Sequence, residues 1–202
     1  MSSDIQSTFV DPAAADPNGL STTAAVGNNA AVILNGALTS GGVGTFDVPR
    51  NVTILSSGND SGISFLVVGT DETETAVSES VTGATAAATA VTSAYFSTIT
   101  AITAVGDPDA NVTAGSGTAI AAPMFRGRMR LRGLYAVNTA TAGTISFRET
   151  SATGSIRMQF NTLASANTNQ YPDIPDDGIL FVGGGYVLYT LAEMSSLTVF
   201  HC

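Results

Sequence analysis

Between Phe125 and Tyr135 the chain reads Phe-Arg-Gly-Arg-Met-Arg-Leu-Arg-Gly-Leu-Tyr, with arginine at positions 126, 128, 130 and 132. A period of two is the spacing of a β-strand, where alternate side chains share a face; a helix would scatter the four around its circumference. Met129 and Leu131 fall on the other face and lead into Leu134, Tyr135 and Val137, so the spacing predicts a strand with one basic and one apolar side. The same period recurs at Val52/Ile54, Ile63/Phe65/Val67, Ile145/Phe147 and Ile156/Met158/Phe160. Abundant Thr, Val and Gly favour strands and turns over helix. Only the Ala-rich stretch 84–94 competes, as a loop or as one or two helical turns, because its Thr, Ser and Val91 weaken an isolated helix.

The expected fold class is therefore all-β, an antiparallel β-sandwich or barrel, arranged as two small β lobes after an extended N-terminal arm. The arm is read over residues 1–45. Two Asp-Pro pairs, Asn18-Gly19, Asn28-Asn29 and the Gly41/Gly42/Gly44 loop punctuate it without a sustained period, so it is either disordered or ordered against a neighbouring subunit. Ala31 to Leu34 is a candidate short strand within it. The first β domain is read over 46–122 and the second over 123–202, with the boundary placed in Ala114–Pro123, where glycines and a proline interrupt any alternation. In the first, Ser56–Gly62 is read as the long loop of a hairpin. In the second, the alternating sets after Ala142-Gly143 suggest a meander, and Gly183-Gly184-Gly185 a hairpin turn.

Charge divides the chain at the arginines. Residues 1–125 hold eleven Asp/Glu against Arg50, a net of −10, and residues 126–202 hold five Asp/Glu against six Arg, a net of +1. Three readings of Arg126, Arg128, Arg130 and Arg132 stay open: a solvated or internally paired strand face, a docking face for an acidic protein, and a nucleic-acid contact. The last is disfavoured by the overall charge of −9, which repels phosphate away from a segregated patch. Charged residues make up only 11% of the chain, too few to cover its surface. Either Thr, Ser, Asn and Gly supply the wet face or partner subunits cover it, which favours a homo-oligomer or a larger assembly.

The residues needed for chemistry are scarce. The chain has one His, one Cys and no Lys, and His201 and Cys202, being adjacent, would point to opposite faces of a strand. No Gly-Lys-Ser/Thr follows the glycines at 41–44, which excludes a phosphate-cradling loop of that type. Asp107, Asp109 and Asn111 begin a calcium-loop pattern, but Val112 stands where its glycine belongs and Thr118 where its glutamate belongs. Asp173, Asp176, Asp177 and Glu193 leave room for a carboxylate pair of the glycosidase kind, but the absence of Trp counts against a sugar cleft. The expectation is a non-enzymatic protein with no catalytic residue, cofactor or metal. No apolar run approaches the 18 or so residues of a membrane helix, and no secretory signal pattern is visible at the N-terminus, which suggests assembly in a cytoplasm. The lone Cys202 rules out an internal disulfide, and Asn51-Val-Thr and Asn111-Val-Thr would be accidental glycosylation matches.

Two sets of segments carry a resemblance. Asn51-Val-Thr-Ile-Leu-Ser-Ser-Gly-Asn-Asp-Ser-Gly-Ile-Ser-Phe, Gly69-Thr-Asp, Ser80-Val-Thr-Gly and Tyr95-Phe-Ser-Thr-Ile-Thr together resemble a widespread type of tailed-bacteriophage virion protein. Gly143-Thr-Ile-Ser-Phe-Arg-Glu, Asp176-Asp-Gly-Ile-Leu-Phe and Leu197-Thr-Val-Phe-His are similar to segments of phage head and tail structural proteins. The resemblance spans roughly residues 46–201 and implies a virion building block. A capsid decoration or cement protein that stabilises the head comes first. A tail, fibre or head-to-tail connector component is the alternative, and a carbohydrate-binding or hydrolysing β-module is the alternative of another class. The implied partners are the major capsid protein or a tail or portal protein, and the implied location is the virion, assembled in the host cytoplasm.

Overall fold

The structure is a computed structural model and describes residues 4–163 and 169–202. The loop expected from Ala164 to Gln170 lies outside the described residues as far as position 168. Sixteen strands and no helix occur among the described residues, with every pairing antiparallel, so the chain is an all-β protein. The chain forms two compact units, one of Ala14–Thr118 and one of Met1–Ala13 together with Ala119–Cys202.

The first strand, β1 (Gln6–Val10), belongs to the second of these units. The unit Ala14–Thr118 then contains β2 (Ser21–Ala24), β3 (Thr39–Ser40), β4 (Val43–Ser56), β5 (Ser64–Thr70), β6 (Ala76–Thr82), β7 (Thr89–Val91), β8 (Phe96–Val105) and the leading half of β9 (Val112–Phe125). Its main sheet runs β9-β4-β8-β5-β6, with β2 on β9 and both β3 and β7 on β4. Phe65, Val67, Phe96, Ile99 and Ile102 fill one face of this sheet, each almost wholly removed from water. Leu20, Val26 and Val32 join them from the segment before β3.

That segment corrects the arm reading. Residues 14–45 belong to the first unit and supply core side chains to it, and residues 6–10 are a paired strand of the same chain. Leu20 N–H donates to Ala114 O at 3.0 Å, and Val32 N–H to Ile102 O at 2.8 Å, which holds a chain without strand periodicity against the sheet. The candidate strand at 31–34 is a single bridge, Ala31 to Thr103. The Ala-rich stretch forms turns and then β7, which pairs Thr53–Leu55 of β4. β4 and β5 are not a hairpin. The loop between them is held instead to the turn before β9, where Asp109 N–H donates to Asp60 Oδ1 at 2.8 Å and Asn59 N–H to Asp109 Oδ2 at 3.3 Å.

The expected linker at 114–123 is also a strand. β9 is buried along most of its length, on both faces, and its small residues, with Thr113, Ser116 and Thr118 among them, set up no alternation of apolar and polar, so the periodic signal vanishes. A Cβ at Gly115 would collide with the backbone of Asp16 and Pro17, so the lack of a side chain here is a packing requirement. Pro123 is tolerated where the register with the neighbouring strand shifts.

The second unit holds the rest of β9, β10 (Met129–Asn138), β11 (Thr144–Glu149), β12 (Ile156–Asn161), β13 (Asn169–Gln170), β14 (Ile179–Phe181), β15 (Gly185–Thr190) and β16 (Met194–His201). Here two sheets pack as a sandwich, β1-β16-β10 with β13 and β14 on β10, against β12-β11-β15-β9. Leu131, Ala136, Leu197 and Val199 of the first sheet and Ile120, Ile145, Phe147 and Val187 of the second are buried between them. Phe125 meets Phe181 edge to face, with ring centroids 5.2 Å apart. Of the expected meander only the β11–β12 hairpin forms. The three glycines do not turn a hairpin either, since β14 pairs β10 while β15 pairs β9 and β11.

Candidate interaction surface

The four arginines do not form one strand ladder. Arg126 and Arg128 lie in the bend between β9 and β10, where Gly127 adopts a φ of +74° that L side chains rarely take, and only Arg130 and Arg132 are on the strand. Register then shifts between Leu131, opposite His201, and Gly133, opposite Phe200, so Arg132 sits in a bulge. Arg126, Arg128 and Arg132 are exposed, and none of the three makes an ion pair among the described residues.

Arg130 is used differently. Its Nη1 donates to Asp177 O at 2.8 Å and to Gly178 O at 3.3 Å, while its backbone exchanges bonds of 2.8 and 3.1 Å with Cys202. Gly178, at φ +70°, makes this fit: a Cβ there would stand 2.6 Å from Leu131 O, 2.9 Å from Arg132 Cδ and 3.3 Å from Arg130 Cβ. The turn before β14 thus lies on the side chains of Arg130 and Arg132, clamped by carbonyl oxygens rather than by carboxylates. The remaining arginines of the unit are also internally engaged. Arg148 donates to Gly154 O at 2.9 Å, and Arg157 pairs with Glu149. Val182 N–H on Glu149 Oε1 at 2.6 Å, foremost, and the Arg157 guanidinium hold that carboxyl below the usual range against partial desolvation.

Beside the arginines lies the outer face of the β1-β16-β10 sheet. On β16, Leu197, Val199 and His201 point inward, so Thr198 and Phe200 point out; on β1, Thr8 and Val10 point in and Ser7 and Phe9 out. Phe9 is 64% exposed, Phe200 39%, and Ile5, just ahead of β1, 65%. The Phe200 ring lies over Gly133, whose Cβ position is 3.6 Å from Phe200 Cδ2. Tyr135 and Tyr171 extend this surface, with ring centroids 5.0 Å apart, and Asn169 Nδ2 donates to the Tyr135 hydroxyl at 2.6 Å. Apart from the arginines at its edge, the residues of this face carry no charge. Its aromatic character was hidden in the sequence because β1 and β16 come from opposite ends of the chain.

Below that face, His201 is 4% exposed. Thr8 Oγ1 donates its one proton to Met124 O at 2.7 Å, so toward His201 Nε2, at 2.9 Å, it can only accept. The imidazole proton is thereby placed on Nε2, while Nδ1 faces Met129 Sδ at 3.0 Å. Burial holds the His201 pKa below its ordinary value. The ring is a neutral tie between β1, β16 and β9. Cys202 is partly exposed and the imidazole bonds elsewhere.

The other sequence candidates are dispersed. Glu193 sits in the β15–β16 turn, where its Oε2 accepts Thr190 N–H at 3.2 Å, whereas Asp173, Asp176 and Asp177 belong to the loop ahead of β14. The calcium-like Asp107–Asn111 turn serves as the clasp for Asp60 and Asn59. Among the described residues no group of three His, Cys, Asp or Glu is placed to hold a metal ion. An open groove of about 420 Å³ in the first unit is lined by Thr23, Leu55, Ser57, Ala110, Asn111 and Thr113, with no acid or base in that lining. The chain matches no protein-family model, and no curated protein or solved structure matches it.

Proposed function

We propose that this chain is a non-enzymatic structural protein of a tailed-phage virion, acting as a capsid decoration or cement protein that stabilises the head. The observation that carries the reading is the set of large apolar side chains standing in water on an all-β protein with little charge. Ile5, Phe9, Ile33, Val105, Ile156 and Val182 are each between 47% and 65% exposed, while charged residues are 11% of the chain. Apolar surface without a charged surround is what subunit contacts cover. The segments that resemble phage structural proteins include residues of β5, β8, β11 and β16, strands that form these sheets. On this reading the partners are the major capsid protein or a tail or portal protein, together with further copies of the chain, and assembly takes place in the host cytoplasm.

Purified particles test the proposal directly. The expected result is that the chain is present in density-gradient-purified virions at a stoichiometric copy number, located on the head by electron microscopy with a specific antibody. Label confined to the tail would replace the decoration role with the tail or connector role. Absence from intact particles would overturn the proposal altogether.

A further inference from the structure

We propose that the outer face of the β1-β16-β10 sheet, with Arg128 and Arg132 beside it, docks onto the outer face of the β5/β6/β8 sheet of a second copy, with the arginines meeting the acidic β5–β6 turn. The inference deepens the reading of the chain as an assembly protein, on which it rests, by naming the partner and the two surfaces.

Two otherwise uncharged faces carry charge of opposite sign at their edges. The unit Ala14–Thr118 holds nine Asp/Glu against Arg50, a net of −8; the other holds seven Asp/Glu against six Arg, a net of −1. On the acidic unit, Phe65 and Val67 of β5 point into the core, so Leu66 and Val68 point out. Leu66 lies opposite Ser80 of β6 and Thr103 of β8, and Val68 opposite Ser78 and Ala101. With Val105, 49% exposed, and Leu66, 37% exposed, they make a face of small and aliphatic side chains without a charge.

The β5–β6 turn, Asp71-Glu72-Thr73-Glu74, ends this face. Asp71 Oδ1 is spent on the turn itself, accepting Thr73 N–H at 2.8 Å and Thr75 N–H at 3.0 Å. The carboxylates of Glu72 and Glu74 make no ion pair among the described residues, and Glu74 has a backbone φ of +63° in the turn. The other face mirrors this arrangement with opposite sign. Ile5, Phe9 and Phe200 supply the apolar part, and Arg128 and Arg132 supply guanidinium groups without a carboxylate partner among the described residues. Aromatic and arginine side chains are the types that interface centres favour. The carboxylates nearest β1, Asp4 and Asp11, lie beyond the ends of that strand.

Because the two surfaces differ, the contact is heterologous, and repetition gives a ring or an open filament rather than a two-fold dimer. An acidic protein of another kind would meet the arginines equally well but would leave the Leu66 face and the Glu72/Glu74 pair without a role.

The test uses the full chain and charge exchange, with the fold of every variant checked by circular dichroism and association read by sedimentation velocity at low ionic strength. Arg128→Glu with Arg132→Glu, or Glu72→Arg with Glu74→Arg, is expected to weaken self-association by at least about tenfold, because like charges then face each other. The chain carrying all four changes is expected to regain it. The gap between parent and double variants narrows at about 0.5 M salt, where the screening length falls to a few ångströms. Phe9→Ser with Phe200→Ser provides a second route to the same loss without altering charge.

A parent that stays monomeric at all concentrations, or a four-fold variant that fails to recover while folded, overturns the proposal. Loss in the arginine variant with no change in the glutamate variant assigns the arginines to an acidic surface of the second copy other than the β5–β6 turn and also overturns the proposal. A monomer in solution that is nonetheless found in virions would refute this contact and leave the virion reading standing.

Discussion

The two units reach a buried core by different means. In Ala14–Thr118 one sheet is covered by chain with little strand character, so Leu20, Val26 and Val32 enter the core from a segment held by scattered backbone bonds. In the other unit two sheets face each other, and the first and last strands pair to complete one of them. The first unit keeps an excess of acid and has no histidine. The second is near neutrality and buries the chain's one imidazole where β1, β16 and β9 meet. Both bodies close on buried apolar side chains, and the second adds a buried imidazole that ties β1 to β16 and β9.

Opening either core has the largest expected effect. Phe65→Ala in the first unit and Phe147→Ala in the second, both almost wholly buried, are each expected to cost about 3–5 kcal/mol in chemical denaturation. If the units unfold separately, each change shifts one transition and leaves the other in place; a common shift would show a single cooperative system.

Thr8→Val sharpens the contrast at lower cost. It keeps the shape of the side chain but removes the bonds to Met124 O and His201 Nε2, so a loss of about 1–3 kcal/mol is expected, confined to the second unit. Amide exchange in β1 should accelerate more than in β4 or β8. Equal acceleration everywhere would refute a local tie.

Strand content was legible wherever one face of a strand is wet. β5, β11 and β12 alternate in sequence as they do in the structure, because each sets a more buried row against a more solvated one. β9 was illegible for the converse reason, since it is covered on both sides and its small residues lack contrast. Partner choice was also illegible: whether Ile179–Phe181 pairs with β10 or with its neighbour in sequence is decided by packing from distant stretches of the chain. At the candidate surface the arginine spacing identified the segment but not its shape, because Gly127 and the bulge at Arg132 break the period. Phe9 and Phe200 become one surface only after strands from the two ends of the chain have paired.

Acidification offers a smaller and more selective test. The folded pKa of His201 lies below the ordinary value of 6.5, so the unfolded chain takes up a proton first as pH falls. The stabilisation is present above about pH 6.5 and is lost as pH drops through the folded pKa. Urea midpoints of the second unit should therefore decline from about pH 7.5 to about 5.5, while those of the histidine-free unit stay level. His201→Gln should flatten the decline. The smallest expected change is Asp71→Ala, about 1 kcal/mol in the first unit, from loss of the turn bonds to Thr73 and Thr75. A matching drop in the second unit would show that the turn supports more than its own hairpin.

The antiparallel pairing of β1 with β16 sets Gln6 directly opposite His201. Tension applied between those two residues would act across the rungs of a ladder at its open end, so the rungs would break in succession instead of sharing the load. Every residue from Ala14 to Thr118 lies between β1 and the remainder of its unit in the sequence, and is bypassed by that load until the ladder has opened. A pull between the two ends would therefore yield first by peeling β1, which withdraws Val10 and the Thr8 bonds from the second unit while the core of Ala14–Thr118 stays closed.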